Sequence, residues 1–193
     1  MPKTLKKANN MARYFKKMVG TKCYLSPVNP DDFEKYTEWL NDPEISQNLL
    51  VNDKIFSLLK EKEILEDMAK NNDTTFTIVD VNTDKPLGNC SLNNVDNINQ
   101  TATLGIFIGD KEYLSKGYGT EAMELLLDYA FNTLNLQNIM LEVFDYNKRA
   151  IKAYEKVGFK VIGKRRQAKF FNNKRYDIII MDILKDEFLN MRE

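Results

Sequence analysis

Two stretches of this chain carry residues whose types and spacing suit chemistry. In the first, Leu104-Gly-Ile-Phe-Ile108 runs into Gly109-Asp-Lys-Glu-Tyr-Leu-Ser-Lys-Gly-Tyr-Gly-Thr120. A strand, a glycine-bearing loop and a helix start in that order can aim several backbone N–H groups at one anion. Gly117 and Gly119 lack a Cβ, so a phosphate can approach the main chain there. In the second, Asn147 stands where a helix N-cap belongs, and Tyr154 follows seven residues later. Seven residues are two turns, about 10 Å, along one helix face. By itself Asn147 reads as a cap and Tyr154 as a core tyrosine; Gly-x-Gly alone is equally well a tight turn.

Other chemistry is excluded by what the chain lacks. It has no histidine, so His general bases, His-based triads and imidazole metal ligands are absent together. Cys23 and Cys90 are too far apart for metal-type spacing, and no metal is expected. A cysteine nucleophile would need a nearby base, so Cys90, in an apolar-flanked segment, reads as a buried structural thiol. There is no Gly-Lys-Ser/Thr for a P-loop, and the third glycine and later acidic residue of a dinucleotide fingerprint are missing.

The elements that must position these residues follow from periodicity. Leu5 to Val19 has apolar residues at helical spacing and a basic opposite face. It reads as an amphipathic N-terminal arm over residues 1–19, ahead of one domain over 20–193. Strands are predicted near 22–27, 74–81, 87–93, 100–108, 139–144, 159–165 and 175–184. Helices are predicted over 31–40, 54–70, 117–134 and 147–157, the last closed by Gly158. This order gives an α+β class: one mixed sheet with helices on its faces.

The 193 residues suit a single core. Lys plus Arg and Asp plus Glu are 28 each, but residues 1–30 hold seven basic side chains and no acidic one, leaving a net charge of −7 on the rest. An acidic body argues against nucleic acid and suits a cationic substrate or a solvated surface. No apolar run reaches the ~20 residues of a membrane span. The basic N-terminus lacks an apolar signal region, so a cytoplasmic location is expected. The arm's apolar stripe needs a resting place: its own domain, a second subunit or an anionic membrane. The short stripe without Trp disfavours the membrane, and a homodimer is the commonest form of docking on protein.

Taken together, the two motifs closely resemble the GNAT acetyltransferases, in particular the branch of ribosomal-protein N-terminal and spermidine acetyltransferases. Tyr24-Leu-Ser-Pro, Trp39-Leu-Asn-Asp and Phe170-Phe-Asn-Asn-Lys-Arg-Tyr-Asp add to the likeness, which covers roughly residues 20–188. It implies the GNAT acyl-CoA N-acyltransferase fold, a mostly antiparallel sheet splayed in the middle. It also implies acetyl-CoA as co-substrate, with direct transfer to an amine: a protein N-terminus, a polyamine, an amino sugar or another small amine. The loop Leu114, Ser115, Lys116, Gly117, Tyr118, Gly119 and Thr120 would bind the pyrophosphate, and Leu114 stands where relatives carry Gln or Arg. The pantetheine arm would lie between strands 103–108 and 139–144, meeting Phe107, Ile108 and Asn147. Tyr154 would be the general acid for the departing thiolate.

The general base stays open. Thr103 stands where many relatives have Glu, which favours an amine of low pKa; Glu44 and Glu142 are candidates acting through water. Trp39 could line an acceptor pocket or pack in the core. The segment around Phe170 could be a hairpin tip near the acceptor, a dimer contact or plain surface. The alternative function is a CoA-binding sensor or interaction module without turnover, which Thr103 and Leu114 favour and Asn147 and Tyr154 oppose.

Overall fold

The computed structural model describes residues 13–71 and 74–192. Among these residues eight strands form one sheet: β1 (Met18–Val19), β2 (Cys23–Pro27), β3 (Thr75–Asp80), β4 (Pro86–Asp96), β5 (Thr101–Ile108), β6 (Asn138–Phe144), β7 (Lys160–Phe171) and β8 (Lys174–Leu184). Their order across the sheet is β1-β2-β3-β4-β5-β6-β8-β7. Every pairing is antiparallel except β5 with β6. That parallel pair is short: Thr101, Ala102 and Thr103 match Asn138, Ile139 and Met140, and pairing stops there. Beyond Thr103 the two strands part, leaving facing edges with unpaired backbone groups, as the resemblance implied.

Among the described residues six α-helices join the sheet: α1 (Phe33–Asn41), α2 (Pro43–Ser46), α3 (Leu58–Asn71), α4 (Tyr118–Asp128), α5 (Lys148–Val157) and α6 (Lys185–Asn190). β5 shows how they divide between the sheet's faces. Side chains alternate sides along a strand. Ala102, Leu104, Ile106 and Ile108 join the main core with Met123, Leu126 and Leu127 of α4. Phe107 points the other way, into a smaller cluster of Val28, Tyr36, Trp39 and Leu65 beneath α1 and α3. Trp39 is thus a core residue, and it packs so tightly on Gly109 that a Cβ there would lie 2.2 Å from the indole ring. Cys90 is fully buried, and burial raises its thiol pKa.

Three expectations need correction, and two short helices, α2 and α6, come in addition. Residues 1–12 lie outside the described part of the chain, but the helical spacing read over Leu5 to Val19 does not hold at its end: Met18–Val19 is a strand on β2. Tyr14 explains part of the difference. It is buried, and its hydroxyl donates to both oxygens of Asp32 at 2.9 and 3.0 Å, where Arg13 also binds. A long-range buried network has overridden local periodicity. The second helix starts at Leu58, four residues late, and α2 follows the Asn-Asp-Pro break, its Glu44 N–H capped by Asp42. The helix from residue 117 changes to π-type over Tyr129–Thr133, and α6 was not anticipated.

One carboxylate fastens the N-terminal turn to α4. Glu121 accepts the N–H groups of Thr21, Lys22 and Cys23 at 2.7–2.9 Å and the Thr21 hydroxyl at 2.6 Å. Partial burial works against its charge, but these four donors together hold its pKa down at about 2. A depressed carboxyl pKa stabilises the fold above the unfolded value near 4.3 and loses that contribution as pH falls through about 2. Glu121→Gln is therefore expected to lower Tm by several degrees at pH 7, for a loss of about 1–2 kcal/mol after solvent screening. The gap to the unaltered protein should close as pH is lowered from 4 towards 2; a pH-independent gap would assign the loss to packing instead.

Candidate active site

Two cavities meet at the parting of β5 and β6. The first, about 160 Å³, runs from the gap to the N-terminus of α4. Its far end is the loop before that helix. Leu114 is extended, with φ −65° and ψ 143°, whereas Ser115 and Gly117 are left-handed, with φ +60° and +89°. Left-handed residues among right-handed and extended ones turn successive N–H groups into a concavity. The N–H groups of residues 115–120 find no acceptor among the described residues. They are instead open donors at the positive end of the α4 dipole, a ready anion site.

Of the residues singled out for cofactor binding, Phe107, Ile108, Leu114, Ser115, Gly117, Gly119, Thr120 and Asn147 line this cavity. The side chains of Lys116 and Tyr118 do not. Lys116 lies over the Tyr113 ring, and Tyr118 donates to Asp80 at 2.6 Å, bracing the loop against β3. Sequence reasoning missed Arg149, which lines the cavity from the first turn of α5. A signal existed: a cation in a helix's first turn opposes the macrodipole, so its placement wants another reason.

The second cavity is larger, about 500 Å³, and lies between the β4–β5 surface and the helical cover of α1 and α3. Its floor carries Asn89, Ser91 and Asn93 on β4, beside Phe107, Gly105 and Thr103 on β5. Gly105 keeps that floor low: an added Cβ would sit 3.0 Å from Ser91 Oγ. Residues 48–51, between α2 and α3, form one wall. Two contacts from the C-terminal half hold the neighbouring chain: Tyr146 Oη donates to Gln47 O at 2.6 Å, and Lys169 bonds Asn52. The β7–β8 hairpin tip is thus adjacent to this cavity. Tyr146 itself is sandwiched by Phe144 and Phe171.

Asn48, Leu49, Ile106, Phe107, Asn147 and Tyr154 line both cavities and mark their junction. Asn147 caps α5, its Oδ1 accepting the Ala150 N–H at 3.2 Å. That cap sets the helix so that Tyr154 reaches the junction two turns on. Tyr154 is half-buried, packs edge-on against Phe159, and its hydroxyl has no partner among the described residues. Burial raises its pKa to about 12, so the phenol keeps its proton through the neutral range.

The carboxylates sort differently. Glu44 lines neither cavity and is engaged by Lys111 at 2.8 Å. Glu142 is exposed but lines the larger cavity, as does Thr103. Glu61 on α3 was not singled out. It is only 2% exposed, lines the larger cavity, and its Oε2 has no hydrogen-bond partner among the described residues. The sequence did hold a sign of it: Ile64, Leu65 and Met68 follow at three, four and seven residues, so Glu61 stands inside an apolar stripe.

Comparison with known proteins agrees with this geometry. Residues 22–160 match the family model described as an acetyltransferase (GNAT) domain. The chain is 26% identical over 167 residues to the uncharacterised N-acetyltransferase p20 of Bacillus licheniformis, covering 85% of this chain and 93% of that protein. It is 35% identical over 95 residues to the spermidine N(1)-acetyltransferase of Escherichia coli K12, about half of each chain. A Vibrio cholerae spermidine N-acetyltransferase, solved in complex with CoA and spermine, superposes with a TM-score of 0.79 at 25% identity, over 89% of this chain and all of that one.

Proposed function

This chain belongs to the GNAT acetyltransferase family, with acetyl-CoA as co-substrate, and from that premise we propose that it acetylates a small cationic amine by direct attack in a ternary complex. The observation that carries the reading is the junction. One cavity ends in open backbone donors suited to a diphosphate, the other in a polar floor under a buried carboxylate, and Tyr154 lies where they meet. A polyamine fits the larger cavity and the net charge of −7 outside residues 1–30 better than an amino sugar or a protein N-terminus, which need not be multiply charged.

The residues divide the work as follows. The N–H groups of 115–120 and the Arg149 guanidinium bind phosphate oxygens. The unpaired edges of β5 and β6 hold the pantetheine amides as an added strand would be held, and fix the thioester at the junction. The amine, desolvated over the β4–β5 floor, attacks the thioester carbon, its nitrogen losing a proton to water held by Thr103 or Glu142. As the C–S bond breaks, Tyr154 donates its proton to the sulfur. A phenol near 12 is a weak acid for an ordinary thiolate of pKa about 8.5. The same desolvated junction raises the thiol's pKa too, which narrows the mismatch. Proximity of the two substrates supplies much of the rate.

The test is release of the CoA thiol on mixing the protein with acetyl-CoA and a panel of amines. Spermidine, spermine and diamines should give release well above thioester hydrolysis, and glucosamine and an N-terminal peptide less. Equal background rates with every amine would sink the acceptor assignment.

A further inference from the structure

Glu61 is the group in the larger cavity that the mechanism above does not use. Among the described residues it forms no ion pair, and its Oε2 is buried without a hydrogen bond. A buried, unpaired carboxylate is unfavourable, and a leucine in that stripe would pack without the penalty. Burial drives its pKa up to about 7, with Lys60 pulling back only in part. Lys60 is exposed, its ammonium 4.9 Å from the Phe56 ring centroid, and Lys54 and Glu142 are exposed at the same cavity. Among the described residues no cation is ion-paired with Glu61, and the cavity it lines is where a cationic partner can reach it.

The position separates two roles. Glu61 shares the cavity wall with Tyr36, whose hydroxyl reaches Gly88 O at 3.3 Å and Thr77 Oγ1 at 3.5 Å, over β3 and β4. The transfer point lies on the other side of β5, at the gap with β6. Glu61 lines only the larger cavity and is not among the residues that line both cavities and mark their junction, so its carboxylate is set apart from the reacting nitrogen. It is well placed for a nitrogen several bonds along the same molecule.

We propose that Glu61 is an acceptor-binding residue whose carboxylate holds a second cationic nitrogen of the amine substrate, so that the protein selects acceptors with two or more basic nitrogens. This rests on the acceptor cavity assigned above, and the binding measurement separates the two. Calorimetry with spermidine, in the presence of CoA, should show Glu61→Gln and Glu61→Ala weakening spermidine binding by about 10- to 100-fold, as expected for loss of a charge-assisted hydrogen bond. The acetyl-CoA Kd should stay within twofold. In kinetics, Glu61→Gln should raise KM for spermidine with kcat nearly unchanged, and erase the preference for spermidine over n-hexylamine.

A spermidine Kd within twofold of the unaltered protein would overturn the proposal. So would a fall in kcat for both amines at constant Kd, which would make Glu61 a proton acceptor rather than an anchor. Glu61-dependent spermidine binding without turnover would uphold the proposal and sink acetyl transfer to this amine. Melting curves guard against misfolding. An acid whose pKa is raised by folding loses stability as pH rises through its folded value, so Glu61→Gln should melt no lower than the unaltered protein at pH 8.

Discussion

Tyr154→Phe is expected to lower kcat by about 10²–10⁴, the range for loss of a general acid, while leaving acetyl-CoA binding intact. The substitution removes one hydroxyl that has no protein partner among the described residues, so nothing is orphaned and the fold should not suffer. The ring keeps its contact with Phe159. Single-turnover measurements with saturating acetyl-CoA and spermidine give the chemical step directly, whatever limits the steady state. An unchanged single-turnover rate would leave Tyr154 as a packing residue at the junction. Because the phenol is protonated far above neutrality, its titration should place no basic limb on the rate profile below pH 10. A limb near 7 would belong to another group.

The second large effect is on the cofactor. Gly119→Val is expected to weaken acetyl-CoA binding by about 10²-fold or more, since it denies a phosphate two or more charge-assisted contacts with the main chain. This position is a cleaner probe than Gly117. A Cβ at Gly119 meets only Ile108, at 3.7 Å, an ordinary contact, and then projects into the smaller cavity. Gly117 has room for a Cβ as well, but its φ of +89° is left-handed, and a β-branched side chain is strained there by of order 1–3 kcal/mol. Gly117→Val therefore loses stability along with binding. Calorimetry at fixed temperature with Gly119→Val decides the matter: normal affinity would mean that the loop does not face the diphosphate.

What was legible beforehand divides along a physical line. Strands and helices with a strong period, such as β5, α4 and α5, were readable because a local pattern and a burial requirement coincide in them. The glycine loop and the pair Asn147–Tyr154 were readable because each is one sequence-local device. Three things were not. The course of residues 13–19 depends on Asp32 and β2, so it is set by partners far along the chain. Glu61 looked like one more charge in Lys60-Glu-Lys-Glu63; only burial distinguishes it from its neighbours, and burial is tertiary. Arg149 needed the opposite wall of the cavity to give it a purpose. Chemistry spread over several elements becomes visible only once the sheet is assembled.

The three-pair seam between β5 and β6 also has a consequence for how the molecule comes together. Every strand on one side of it precedes residue 109, and every strand on the other side follows residue 137. Each half of the sheet is thus a nearly continuous piece of chain, with its ladders closed between neighbours in sequence except where β2 meets β3 and β6 meets β8. Units of that kind can order separately, because little long loop closure has to precede their contacts. Apart from the two-pair edge contact of β1 with β2, this seam is the shortest ladder in the sheet, and a thinly bonded plane is where a cooperative unit ends and sub-global opening is least costly. A molecule seated in the gap would touch both halves, and would join as one cooperative block what the backbone leaves as two.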